Sequence, residues 1–131
     1  GRGFDVLIHS AGVYGDGMRR AEVMRVNAEA PFEVVGALLP AVERGGMKKI
    51  AILTSQMGAR QGGRPPSGIY GASKCALNDR FREIEPEWRA KGVAAVVFHP
   101  GWVKTDMGGS SAAILALSHS GALPRFSGST R

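Results

Sequence analysis

Three short apolar runs alternate with two long amphipathic stretches, and this order constrains the fold more than any other feature of the chain. Asp5-Val6-Leu7-Ile8-His9 reads as a buried strand, its three central residues apolar without alternation, as in a parallel strand covered on both faces. Ser10-Ala11-Gly12 ends it, and Gly12, Gly15 and Gly17 mark a loop. Arg20 to about Glu43 reads as helix, with Val23, Val26, Ala30, Val34 and Leu38 spaced by three and four along one face. Pro31 is expected to kink this helix or begin a new stretch, and Pro40 to weaken its C-terminal end. Lys48 to Ser55 is the second strand, and Gln56 to Gly68 a loop rich in Gly, Pro and polar residues. A second helix follows from about Ile69 to Ala90, burying Leu77, Phe81, Ile84 and Trp88, with Pro86 expected to kink or fray it late. Gly92 closes it, Val93 to Phe98 forms the third strand, and Pro100-Gly101 stops that strand.

Strand, helix, strand, helix, strand implies an α/β fold with a parallel sheet and right-handed crossovers. Residues 1–109 make up this unit. Residues 110–131, rich in Ser, Gly and Ala with one apolar patch from Ala112 to Leu117, read as an irregular or weakly helical tail without a strand.

Composition excludes several classes. At 131 residues the chain suits one domain with a real core. No apolar run reaches the length of a membrane span, so no membrane association is expected. Cys75 is the sole cysteine, which fits a reducing cytoplasm and reads as a small core residue on a helix. The net charge is +6, but the 17 basic residues are spread along the chain and interleaved with acidic ones, which argues for a solvated basic surface and against nucleic-acid binding. His9, His99 and His119 share no metal-ligand spacing, so no metal site is expected. Ser55 lacks the Gly-x-Ser-x-Gly elbow of hydrolases, and no phosphate-binding Gly-x-x-x-x-Gly-Lys-Ser/Thr loop occurs.

Chemistry concentrates at the C-terminal ends of the strands, where parallel sheets gather functional groups. The first strand leads into Ser10-Ala11-Gly12, the second ends at Ser55, and the third at His99-Pro100-Gly101. Tyr70 and Lys74 are four positions apart at the start of the second helix and so share one face. A free phenol titrates near 10, too high for proton exchange at neutral pH. An ammonium about 5 Å away would favour the phenolate by roughly 3 kcal/mol at an effective dielectric near 20, or about two pH units.

These segments closely resemble the short-chain dehydrogenase/reductase family over about residues 4 to 108. Asp5-Val-Leu-Ile-His-Ser-Ala-Gly12 is similar to its strand with the Asn-Asn-Ala-Gly motif, Val26-Asn27 to its helix asparagine, and Ile52-Leu-Thr-Ser55 to its strand ending in the catalytic serine. Tyr70-Gly-Ala-Ser-Lys74 matches its Tyr-x-x-x-Lys motif, and His99-Pro-Gly-Trp-Val-Lys-Thr105 its Pro-Gly segment. Ser55-Gln-Met-Gly58 and His99 to Val103 are also similar to a subgroup of C-factor-like proteins.

The resemblance implies the C-terminal half of a Rossmann-type doubly wound parallel sheet, with about three strands and two long helices. It implies an NAD(P)-dependent oxidoreductase that interconverts a small-molecule carbonyl and an alcohol by hydride transfer. Tyr70 would be the acid/base, Lys74 would lower the phenol's pKa and hold the nicotinamide ribose, and Ser55 would hold the substrate oxygen. Asn27 would help hold a water linking Lys74 to solvent. Ala11 and Gly12 would let the cofactor lie close to the backbone, and Pro100, Gly101, Val103 and Thr105 would line its nicotinamide side. The resemblance also implies a homo-oligomer formed through the two long helices.

Three features depart from the family pattern, one of them the stretch from Ser110 to Arg131, which looks unlike the family's substrate lid and further strand. His9-Ser10 replaces its two asparagines, and the glycine-rich loop that holds the cofactor pyrophosphate is expected well before Asp5. The strand from Asp5 to His9 would then present an open, apolar, aggregation-prone edge. An N-terminally truncated fragment without activity, or an interaction or C-factor-like signalling module, is the alternative reading.

Overall fold

The computed structural model describes residues 3–99 and the backbone of residues 116–118. Strands β1 (Val6–His9), β2 (Lys49–Leu53) and β3 (Ala94–His99) lie side by side in chain order, all parallel. Val6 faces Lys49 and His9 faces Ile52; Lys49 in turn faces Ala94 and Leu53 faces Phe98. The crossovers are α1 (Arg20–Met24) with α2 (Ala30–Glu43), and α3 (Ile69–Ala90). Neighbouring strands joined by crossovers of one hand put both connections on the same face of the sheet. The core fills that layer: Val35, Leu39 and Val42 of α2 and Leu77, Phe81 and Trp88 of α3 close over Ile50, Ile52 and Ala95. This is the α/β, partial Rossmann-type arrangement expected.

Three differences from the sequence reading have physical causes. The first helix is not one continuous α-helix. Residues Arg25–Glu29 form a π-turn, in which the Ala30 N–H bonds to the Arg25 carbonyl five residues back. One extra residue in a turn advances the helix face by one position. The expected stripe of Val26, Ala30, Val34 and Leu38 is therefore displaced, and Val34 is exposed, whereas Pro31, Val35 and Leu39 are buried. Pro31 is buried in the first turn of α2, directly after the π-turn, and does not interrupt the helical run. Pro40 and Pro86 lie within α2 and α3 without ending them. Both are exposed, as are Gly36 and Arg82 one turn earlier, so water reaches the carbonyls they leave unbonded.

Strand β1 is covered on one face only. Leu7 and His9 are half-buried, whereas Val6 and Ile8 are 44% and 61% exposed. It is an edge strand in this sheet, as the open-edge expectation required. Finally, Ala116–Ser118 forms a short strand β4 antiparallel to β3, within a stretch read as having none. Three residues without alternation carry no strand signal of their own, and the pairing with Val97 to His99 supplies it.

Among the described residues no helix is long and apolar enough to cross a membrane, and no cluster of His, Cys, Asp and Glu could hold a metal.

Candidate active site

The site lies where the strands end and α3 begins. Beyond β2 the Thr54 N–H still bonds to the Phe98 carbonyl at 2.8 Å, and Ser55 then caps a 3-10 turn, Gln56–Gly58. The Ser55 Oγ accepts the Met57 N–H at 3.1 Å. One lone pair is thereby used, and the hydroxyl proton remains available to donate.

Two glycines let this turn press against α3. A Cβ on Gly58 would lie 2.7 Å from the Lys74 carbonyl carbon, and one on Gly71 2.6 Å from the Met57 oxygen. Any larger residue would hold the turn off the helix. The close approach puts the Ser55 side chain within hydrogen-bonding reach of the Tyr70 phenol.

Tyr70 stands in the first turn of α3, half-buried, and Lys74 follows one turn later, 3% exposed, with its Nζ 5.7 Å from the centre of the Tyr70 ring. Burial pushes the lysine down to about 8 from 10.5. Among the described residues it has no carboxylate partner to offset that. Burial also raises the Tyr70 phenol, the Ser55 hydrogen bond opposes this, and Tyr14 adds to the rise.

The groups that act on the Tyr70 phenol are burial, which raises it most, Ser55, which opposes the rise, and Tyr14, and their net effect is upward. In the free protein Tyr70 is therefore held protonated. Lys74, together with burial, pushes the His9 imidazole below its ordinary value, with burial the larger cause.

Asn27 is fully buried and ties the loop after β1 to α3. Its Oδ1 accepts the Val13 N–H at 2.9 Å, and its Nδ2 donates to the Val13 carbonyl at 2.7 Å and to Ser73 Oγ at 3.0 Å. The Val13 N–H can only donate, which fixes the amide orientation. Ser73 Oγ passes the chain on to the Tyr70 backbone carbonyl at 2.7 Å. The π-turn places Asn27 on this buried face. Gly12 rides directly above: a Cβ there would lie 3.2 Å from Asn27 Oδ1 and 3.3 Å from Lys74 Nζ. Ala11 and Gly12 are exposed beside it.

The structure thus brings Asn27, Ser55, Tyr70, Lys74 and Gly12 to one end of the sheet, with Ala11 adjoining. Pro100, Gly101, Val103 and Thr105 lie outside the described residues. Cys75 is buried in α3, as expected of a core residue.

Sequence reasoning missed Ser73 and Tyr14. Ser73 could have been found three positions from Tyr70, on the same helix face. Tyr14, whose ring centre is 4.9 Å from that of Tyr70 in an edge-on pair, carried no local signal beyond its place in the glycine loop.

A family model described as short chain dehydrogenase matches residues 2–114. Among curated proteins, the C-signal of Myxococcus xanthus is 37% identical over 121 residues, covering 86% of this chain and 73% of that protein. An uncharacterized oxidoreductase of Schizosaccharomyces pombe is 36% identical over 84 residues, covering 63% of this chain and 33% of its own. The NADPH-bound carbonyl reductase from chicken fatty liver has a similar structure, with a TM-score of 0.71 and 31% identity over 84% of this chain and 51% of that one. The chain therefore spans about half of that reductase and a third of the yeast protein.

Proposed function

The chain belongs to the short-chain dehydrogenase family, and on that premise we propose that it serves an NAD(P)-dependent oxidoreductase interconverting a carbonyl and an alcohol, with Tyr70 as acid/base. The convergence of Ser55, Tyr70 and Lys74 at one end of the sheet carries this reading.

Ser55, whose Oγ accepts the Met57 N–H and whose hydroxyl bonds to the Tyr70 phenol in the free protein, turns its proton to the substrate oxygen as a hydrogen bond. Tyr70, held protonated by burial, gives its phenol proton to that oxygen during reduction and takes it back in the reverse direction. The residues present fit the nicotinamide-ribose end of a cofactor. Lys74 offers N–H donors with no ion pair among the described residues, and Ala11 and Gly12 leave exposed backbone beside it. NAD or NADP supplies or accepts the hydride when bound. Asn27 holds the loop carrying Gly12 in place and orders the polar path behind Lys74. We assign Pro100, Gly101, Val103 and Thr105 to the nicotinamide side by the family pattern, residues 1–109 to the domain that performs the chemistry, and 110–131 to a tail. A cytoplasmic homo-oligomer paired through its long helices belongs to the same reading.

A second reading, an interaction module akin to C-signal, is favoured by the 73% coverage of that relative and by the bare edge of β1. Fluorescence titration with NADH and NADPH separates the two. Micromolar binding, weakened about tenfold or more in Lys74→Met through loss of a charged hydrogen bond, is expected of the enzyme. Absence of saturable binding would refute it.

A further inference from the structure

We propose that Tyr14 is a specificity-determining residue, the rigid aromatic wall of an apolar rim that selects carbonyl substrates bearing an aryl substituent. This rests on the oxidoreductase reading above and narrows its substrate class.

Three of the exposed large apolar side chains flank the polar cluster: Tyr14 at 40%, Met57 at 60% and Ile69 at 36%. Met57 lies two residues beyond Ser55, on the turn that Ser55 caps, and Ile69 immediately precedes Tyr70. An apolar rim around a hydroxyl and a phenol suits a ligand with one polar atom and an apolar body, since the exposed area is released from water when the ligand seats.

Tyr14 is the stiffest part of that rim. Val13 before it is clamped through both its N–H and its carbonyl by Asn27. Gly15 after it adopts φ +97° and packs so closely that a Cβ would lie 2.7 Å from Val23 Cγ2 and 3.5 Å from Ile69 Cγ2. A residue pinned on both sides keeps its ring in place at little further entropic cost. The ring already makes an edge-on pair with Tyr70 at 4.9 Å, so an aryl group attached to a carbonyl at Tyr70 enters an aromatic pair that is half built. Met57, unbranched and polarizable, adapts to the remainder.

The chain has only two tyrosines, and both are in this contact. Protein labelled with 13C at tyrosine Cζ therefore gives two resonances, assigned with Tyr14→Phe. Titration with acetophenone is expected to move both, with an affinity about tenfold above that for butan-2-one. Tyr14→Phe should keep the preference. Tyr14→Leu, with its fold checked by its amide spectrum, should reduce it to within about twofold of unity, a loss of roughly 1.4 kcal/mol of discrimination for a tenfold change. Equal affinities in the wild type, a preference that survives in Tyr14→Leu, or the absence of any shift with either ketone would overturn the proposal. If acetophenone moves the Tyr14 resonance alone, with its preference over butan-2-one intact, the aryl wall stands and the carbonyl role of Tyr70 fails.

Discussion

Replacing Lys74 by methionine should make the protein more stable while removing its chemistry. The side chain is 3% exposed and titrates near 8 rather than 10.5 because it is desolvated. Folding a charged lysine into that setting costs about 3 kcal/mol at pH 7, at 1.36 kcal/mol per pH unit of displacement. The group is a base whose folded pKa lies below its unfolded one. The unfolded chain therefore holds more protons between pH 8 and 10.5, and the wild type gains stability as pH rises through that window. Methionine has similar reach and no charge, so the variant lacks the cost at every pH. Urea unfolding of both proteins at pH 7 should show the Lys74→Met midpoint higher by about 1–3 M, for an m-value of about 1–3 kcal/mol per M. Near pH 10.5 the gap should close to a small residue. A variant no more stable than the wild type at pH 7, or a gap that stays constant with pH, would refute the argument that burial displaces the lysine.

Three further outcomes follow from particular contacts. Asn27→Ala removes three hydrogen bonds and strands the Val13 N–H and carbonyl, so stability should fall by about 2–4 kcal/mol in urea; a loss under 1 kcal/mol would contradict the clamp. Gly71→Ala gains about 1 kcal/mol of helix propensity, yet its Cβ would meet the Met57 oxygen at 2.6 Å, so a net loss of stability with displacement of the Ser55 turn is expected, and a stabilised variant would remove the close approach as a requirement. Ile8→Lys places a charge on the bare edge of β1 and should reduce light scattering of concentrated protein while changing stability by less than about 0.5 kcal/mol; unchanged scattering would mean the edge is not the route of association.

The order of elements was legible because each depends on local pattern. The apolar runs of β1, β2 and β3, the α3 stripe of Leu77, Phe81 and Trp88, and the positive φ of Gly92 all follow from neighbours in the chain. So did the proximity of Tyr70 and Lys74, which one helical turn dictates. The burial of Val35 and Leu39 in place of Val34 and Leu38 was not, since a π-turn depends on what the helix packs against. The displacement of the Lys74 ammonium was not legible for a related reason. Spacing shows which groups are near, but burial decides which form each prefers, and burial is a property of the whole fold. Tyr14 became visible only when loop and helix were brought together, because Asn27 joins residues 14 and 46 positions away.

The most direct measurement of the central claim, that Tyr70 exchanges a proton with a substrate oxygen beside Ser55 and Lys74, is ketone-dependent oxidation of NADPH or NADH by the wild type and by Tyr70→Phe. Tyr70→Phe keeps the ring and loses the proton, so turnover should drop by about 10²–10⁴-fold with cofactor binding and unfolding unchanged. Turnover in Tyr70→Phe equal to that of the wild type would contradict it.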